Sequence, residues 1–456
     1  MEHTDIKDVL KSAKLVGKKI TVCGWLKTSR NSKSVMFLEL NDGTGLANLQ
    51  TVIDKENQAL SAAASYGVGS ALRVTGTLVK SEGAQSVELR AEEIELLGAA
   101  DSSYPLQKKR HSLEFLRDNA HLRGRTNTFN AVFRVRGALS KAIHEFFWSR
   151  GFLYVNTPII TGSDCEGAGE IFRVTTLSGE QLLKKDYSED FFGVKAGLTV
   201  SGQLEGEAMA LAFSKIYTFG PTFRAENSNT PRHAAEFWQI EPEVAFADLY
   251  DIIALARDMV KSVIADVLKS CKSELEFFEK FYEEGLIEKL TGIVEKDFKI
   301  LEYRDAVEIL KNSGESFVYP VSFGTDLQTE HERYLVDKVF RAPVFIVNYP
   351  KEIKSFYMKL NPDGITVAST DLLVPGVGEI IGASQREDNL ELLEQRIKDL
   401  KMNMEDYRWY LDLRRYGSAP HSGFGLGLER LLMYVTGMSN IRDVAPFPRT
   451  KGNLLF

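Results

Sequence analysis

Three stretches of the chain gather side chains able to handle phosphate and carboxylate groups. FRAENSNTPRHAAEFWQIEPE (223–243) carries Arg224, Glu226, His233 and Phe237. GFGLGLERLLM (423–433) is a Gly-rich strand that runs into a helix beginning near Glu429 and Arg430. STDLLVPGVGEIIG (369–382) sets Asp371 and Glu379 on either side of a Pro-Gly turn. A planar guanidinium can hold a phosphate oxygen and a carboxylate oxygen together in one fixed fork. Two carboxylates completed by phosphates and water suit Mg2+. Each stretch alone also has a plainer reading: a surface ion pair, close packing of a strand against a helix, and solvated acids around a turn. The chain contains neither a Gly-rich dinucleotide fingerprint nor a Walker-type lysine loop, so a nucleotide would have to be held in another way.

A fourth stretch, GFLYVNTPII (151–160), follows a helix with a strand containing Pro158. In order and spacing, this stretch, 223–243 and 423–433 resemble motifs 1, 2 and 3 of the class II aminoacyl-tRNA synthetases. The resemblance runs through essentially the whole chain. It points to the subgroup with an N-terminal OB anticodon domain: the aspartate, asparagine and lysine enzymes. It implies ATP as a substrate and Mg2+ as the accompanying ion, with Asp371 and Glu379 as the metal pair. Arg224 and Arg430 are then the catalytic arginines. Arg224 would hold the α-phosphate and the amino-acid carboxylate. Glu226 would meet the adenine edge, Phe237 one adenine face, and Arg430 the other face and the γ-phosphate. His233 would contact the terminal phosphates. Little proton transfer is needed, so positioning and charge stabilisation supply most of the acceleration. Motif 1 is the usual dimer contact in this class, which implies a C2 homodimer.

LTVSGQLEGE (198–207) bears on which amino acid is used. Aspartate enzymes carry Q-S-P-Q-x-x-K here, and that lysine pairs with the substrate carboxylate. In this chain Ser201 and Gln203 remain, but Gly206 stands at the lysine position, with Glu205 and Glu207 beside it. A buried aspartate carboxylate would lose its partner and sit near acids, at a cost of several kcal/mol. A carboxamide fits better, because its oxygen accepts from an arginine and its NH2 donates to a carboxylate. By resemblance Arg386 reads the side chain, Glu241 is the candidate NH2 acceptor, and Glu166 holds the substrate ammonium from a loop loosened by Gly162, Gly167 and Gly169. The plainer reading of Arg386 is an exposed arginine at a helix start. The expectation is activation of L-asparagine and its transfer to the 3′ end of tRNA(Asn). The alternative is a relaxed aspartate enzyme charging tRNA(Asp) and tRNA(Asn). A lysine pocket would need an acid where Arg386 stands. An ammonia-capturing ligase would lack the anticodon domain, and a non-catalytic paralogue would have lost Arg224, Glu379 or Arg430.

Single-stranded bases are read by stacking and by hydrogen bonds to their edges. By resemblance, Phe37 in VMFLEL stacks an anticodon base and Asn48 in GLANLQ reads the central U. Trp25, Arg30 and Glu93 are further tRNA candidates. The alternation in V-M-F-L-E-L leaves open which face Phe37 takes.

These residues need elements to position them. Residues 18–98 read as about five short strands with Gly-marked turns, and a helical stretch around Asp54–Tyr66 caps them. That pattern fits an OB barrel, although immunoglobulin-like sandwiches share it. Between Pro105 and Arg136 lie Lys108, Lys109, Arg110, Arg117, Arg123, Arg125, Arg134 and Arg136, against only Glu114 and Asp118. This is either a solvated linker face or a phosphate contact. Farther on, helical periodicity in 129–151, 249–271 and 389–402 mixes with strand-like VFIVNYP, FYMKLN and ITVASTDLLV without βαβ order. The expected fold class is α+β. An N-terminal OB-fold β-barrel (1–100) is followed by a basic hinge (101–128) and a class II catalytic domain (129–456) built on an antiparallel sheet of about six strands.

A length of 456 residues exceeds one hydrophobic core and implies two or three domains. The net charge of −7 argues against a uniformly basic nucleic-acid binder but leaves room for a local patch. Cys23, Cys165 and Cys271 are too few and too scattered for a disulfide framework or a thiolate metal site, which suits a reducing compartment. MEHTDIKDVL has no apolar signal core and no long apolar run follows, so the expectation is a cytoplasmic enzyme with no membrane contact.

Overall fold

Strict alternation of apolar and polar residues builds the N-terminal strands. β1 (Lys19–Asn31), β2 (Val35–Asn41), β3 (Leu49–Asp54), β4 (Ala71–Lys80) and β5 (Val87–Gly98) close into a barrel in the order β1-β2-β3-β5-β4. Val22, Leu26, Leu38, Leu40, Leu49, Leu72, Val74 and Leu89 fill its interior and are fully buried. Closure excludes the sandwich and matches the OB expectation. The capping segment Gln58–Ser65 is a 3-10 helix that turns Leu60 and Ala63 inward. In β2, Met36, Leu38 and Leu40 point in, which leaves Phe37 and Glu39 outside.

The structure is a computed structural model that describes residues 3–81, 83, 85–165, 171–228 and 230–456. It forms two units, Met1–Arg134 with Leu455–Phe456, and Val135–Leu454. Residues 101–128 group with the barrel. The basic run there does not act as one face. Lys108, Lys109 and Arg110 are exposed, but Arg123 is buried with its guanidinium 4.2 Å from the Phe129 ring centre, and Arg134 donates to the Gly43 carbonyl.

The second unit is built on an eight-stranded sheet. Along the chain it takes β6 (Leu153–Tyr154), β10 (Lys215–Phe223), β11 (Glu236–Ala245), β12 (Lys299–Glu302), β13 (Val344–Val347), β14 (Ser369–Val374), β15 (Gly378–Gln385) and β16 (His421–Gly427). Its order is β12-β13-β14-β15-β16-β11-β10-β6. The pairings are antiparallel except at the two edges, where β12 pairs with β13 and β6 with β10 in parallel. A small sheet joins β7 (Ile160–Thr161), β8 (Arg173–Val174) and β9 (Ala196–Leu198). The sheet is thus larger than the expected six strands. Pro158 falls between β6 and β7 rather than inside a strand, because proline has no N–H to give a ladder. FYMKLN forms only isolated bridges, Met358 with Arg386 and Leu360 with Val367. Helix Leu249–Ser270, capped by Asp248, lays Ile252, Ala256, Met259, Val260, Val263 and Val267 as one buried stripe. Among the described residues no helix is long and apolar enough to cross a membrane.

Candidate active site

Strands β10 and β11 form a hairpin that places the nucleotide residues. Thr222 lies opposite Phe237, and the Arg224 N–H donates to the Ala235 carbonyl at 3.0 Å. This brings the Arg224 guanidinium to 5.4 Å from the Phe237 ring centre. Glu226 reaches Arg224 at 3.9 Å and His233 at 3.7 Å. Arg430, in the first turn of helix Leu428–Thr436, meets the Glu379 carboxylate at 3.2 Å. Arg224, Glu226, His233, Phe237, Glu379 and Arg430 line one cavity of about 160 Å³, together with Arg232 and Gln239. All six residues expected at ATP are therefore neighbours. Burial, with three arginines nearby, lowers the His233 pKa and keeps its ring neutral at neutral pH.

The helix carrying Arg430 is pinned by its neighbour Glu429. That buried carboxylate accepts the Trp238 N–H at 2.9 Å and pairs with Arg136 at 2.7 Å. Arg136 thus serves the catalytic unit rather than a phosphate contact.

Asp371 and Glu379 face each other across Gly382, whose absent Cβ would lie 3.6 Å from Asp371 and 3.5 Å from Glu379. Lys354 holds Asp371 at 2.6 Å. Burial opposes the charge on Glu379, yet Arg430 and Lys354 keep its pKa below the ordinary range. Burial beside Glu379 raises the pKa of Asp371. Among the described residues no three His, Cys, Asp or Glu side chains gather to hold a metal alone. The pair fits Mg2+ only if phosphates and water complete the shell.

On the amino-acid side, β11 sends Glu241 and Glu243 to the same face as Phe237. Glu241 is nearly saturated: it accepts from Ser201 Oγ, from the Gly202 N–H at 3.0 Å and from Thr218 Oγ1 at 3.0 Å. Arg386 is 3% exposed, which excludes the exposed helix-start reading. It donates through Nε (3.1 Å) and Nη2 to the two oxygens of Glu243, and through Nη1 to Ser384 at 2.6 Å. Gly206 faces this pair, its absent Cβ 3.5 Å from Glu243 Cγ. Gln203 donates to Glu207, which in turn accepts from Tyr410 (2.7 Å) and Arg414 (2.8 Å) and meets His421 at 3.0 Å. Burial works against the Glu207 charge, but Arg414 and His421 hold its pKa low. Glu207 is thus a paired anion rather than a free acid in the pocket. The glycines of β16 give these side chains room, since a Cβ at Gly423 would collide with Glu243 and one at Gly425 would come within 2.9 Å of Gln239.

Glu166, Gly167 and Gly169 lie outside the described residues. Glu243, Glu429, Lys354 and the Glu207 network were not picked out from the sequence as site residues. The period of two from Glu241 was the available signal for Glu243.

On the barrel, Arg30 in β1, Phe37 in β2 and Val52 in β3 stand in register on the outer face, and the Arg30 guanidinium is 4.9 Å from the Phe37 ring centre. Asn48 joins this face through a 3.1 Å bond to Glu39. Glu93 does not. It is exposed opposite Thr75, three residues beyond Arg90, on the β4 side of the barrel. Trp25 is half-exposed, with the Arg125 guanidinium 5.2 Å from its ring centre.

The model of the class II tRNA synthetases of the D, K and N group matches residues 112–451, and an OB-fold nucleic-acid-binding model matches 20–97. The chain belongs to the class II tRNA synthetases. An asparagine–tRNA ligase of Acetivibrio thermocellus is 58% identical over 99% of both chains. One of Nitratidesulfovibrio vulgaris is 56% identical over the full length of both. The synthetase fold superposes on asparaginyl-tRNA synthetase from Pyrococcus horikoshii complexed with asparaginyl-adenylate, with a TM-score of 0.89 and 35% identity over 100% of this chain and 99% of that one.

Proposed function

We propose that this synthetase uses ATP to activate L-asparagine and transfers it to the 3′-terminal ribose of tRNA(Asn). The observation that carries the reading is the buried Arg386–Glu243 pair facing Gly206. It offers an amide oxygen a donor and an amide NH2 an acceptor, with no added lysine to hold a substrate carboxylate. Support also comes from the full-length relatives, named as asparagine–tRNA ligases.

The amino-acid carboxylate attacks the α-phosphorus and pyrophosphate leaves. A ribose hydroxyl of the tRNA then attacks the acyl carbon and AMP leaves. Arg224 orients the carboxylate against the α-phosphate, and Phe237 with Arg430 holds the base between them. Ser201 and Gln203 line the amino-acid end, with Glu241 beside them. Asp371 and Glu379 would hold Mg2+, which would neutralise charge on the triphosphate. Phe37 and Asn48 meet the anticodon. Trp148, Leu153, Tyr154 and Ile159 leave an exposed apolar patch around motif 1, which suits a second copy of this chain in a homodimer. The work of charging tRNA supports a cytoplasmic location.

An ATP–pyrophosphate exchange panel over asparagine, aspartate and lysine tests the reading. Exchange driven by asparagine alone is expected. Aspartate-driven exchange of equal efficiency would revive the relaxed aspartate enzyme.

A further inference from the structure

Glu332 does not line the nucleotide cavity, yet it bonds one of the residues that do, Glu379, and shares a short helix with the partner of another, Arg232. Its Oε2 accepts the backbone N–H of Glu379 at 3.2 Å. Glu379 sits at an irregularity of the β14–β15 ladder, where Leu372 opposes Ile381 but Leu373 opposes Glu379. Such a bulge re-aims the side chain next to it. The preceding Gly378 has φ +88°, and the space its Cβ would occupy is filled by the Glu332 carboxylate. Any L side chain at 378 would be strained and would displace that carboxylate.

The other flank of the same space belongs to Arg232, whose Nη1 lies 3.5 Å from the absent Cβ and donates to Thr329 Oγ1 at 3.2 Å. Arg232 comes from the loop between β10 and β11 and lines the nucleotide cavity with Arg430. Thr329 and Glu332 share the short helix Thr329–Arg333. One turn farther, Asp337 accepts the Gly376 N–H at 2.7 Å, so this segment clips the β14–β15 turn twice.

We propose that Glu332 is a positioning residue for the triphosphate end of the site. It fixes Glu379 through its N–H, while Thr329 on the same short helix steers Arg232 toward the terminal phosphates. This rests on the proposed activation reaction, in which Glu379 serves Mg2+–ATP. Nothing in the sequence motifs points to it, because Glu332 lies between motifs 2 and 3.

The test uses the full-length enzyme with Glu332→Ala, Glu332→Gln and Thr329→Val. Pyrophosphate exchange is measured against ATP, free Mg2+ and asparagine, and Mn2+ binding in the presence of a non-hydrolysable ATP analogue is read by electron paramagnetic resonance. For Glu332→Ala, the KM for ATP and the Mg2+ requirement should rise and Mn2+ binding weaken by about fivefold or more, the size of one lost hydrogen bond. The asparagine KM should stay unchanged. Glu332→Gln keeps an acceptor for the Glu379 N–H and should restore the metal dependence, and Thr329→Val should raise the ATP KM alone. Unchanged ATP, Mg2+ and Mn2+ constants with only a lower Tm would overturn the proposal. If Glu332→Ala fails to fold, Glu332→Gln and Thr329→Val decide it. A wild-type enzyme without asparagine-dependent exchange would instead sink the functional reading.

Discussion

Glu243 on β11 grips Arg386 at the end of β15 with both carboxylate oxygens, although the two residues are far apart in the chain and both are buried. Removing one partner of such a pair leaves an uncompensated charge and costs about 3–5 kcal/mol. Glu243→Ala is therefore expected to lower the melting temperature and to raise the asparagine KM steeply, because Arg386 loses its orientation. Calorimetry and asparagine-dependent exchange check the two arms. An asparagine KM near the wild-type value would show that Arg386 is aligned by Ser384 alone.

Gly206 lies in helix Gln203–Phe213 with an ordinary helical backbone, so a lysine there carries no backbone strain, and its Cβ would come into contact with Glu243 and Ile216. Its ammonium would meet Glu243 and compete with Arg386. Gly206→Lys should cut asparagine-dependent exchange by about tenfold or more, the scale of 1.4 kcal/mol or greater, and should shift the asparagine-to-aspartate ratio toward aspartate. Competition between the two amino acids at saturating ATP measures this.

The nucleotide half of the site was legible in the sequence because its residues sit close together within motifs: Arg224 through Phe237 span one hairpin, and Arg430 follows its glycines directly. The amino-acid half was less legible. Arg386, Glu243, Glu207 and Arg414 come from four separate segments: the sheet order β15-β16-β11 brings Arg386 to Glu243, and helices Gln203–Phe213 and Arg408–Arg415 add Glu207 and Arg414. Helical and strand periods said nothing about such pairings. The basic run at 105–136 was only partly legible for a related reason. Local charge density cannot separate exposed Lys108–Arg110 from Arg123, which is buried against Phe129, or from Arg136, which is paired with Glu429. The barrel was plain from alternation, and the side that Phe37 takes became plain only once its strand was placed.

Glu429 joins the Trp238 N–H to Arg136 at the start of the helix that presents Arg430. Glu429→Ala leaves Arg136 largely buried without its partner. Expected are a stability loss of about 3–5 kcal/mol and a raised ATP KM with little change in the asparagine KM. Denaturation together with exchange kinetics separates the two effects. Equal change in both KM values would place the damage in the whole sheet rather than in the Arg430 helix.

Phe37 stands outside the barrel beside Arg30, clear of the core. Stacking on a base contributes about 1–3 kcal/mol, so Phe37→Ala should raise the KM for tRNA by roughly tenfold to a hundredfold. Pyrophosphate exchange without tRNA should be unaffected. Equal loss in both assays would make Phe37 a structural residue.

His144 in helix Asn127–Trp148 bonds the Tyr217 hydroxyl at 2.7 Å and packs edge-on against Tyr154, next to the exposed apolar patch. Burial lowers its pKa below the ordinary value of 6.5. A histidine that is harder to protonate in the folded state binds fewer protons than in the unfolded chain, so its contribution to stability is complete above about pH 6.5 and is lost as pH falls below it. Acidification from pH 7.5 to 5.5 should therefore lower the melting temperature, and His144→Gln should remove part of that dependence while keeping a polar partner for Tyr217. Melting curves at several pH values, run alongside sedimentation velocity, test this. A slope unchanged in His144→Gln would assign the acid sensitivity to other groups, whereas a shift toward monomer only in the wild type would tie the same ring to the contact between subunits.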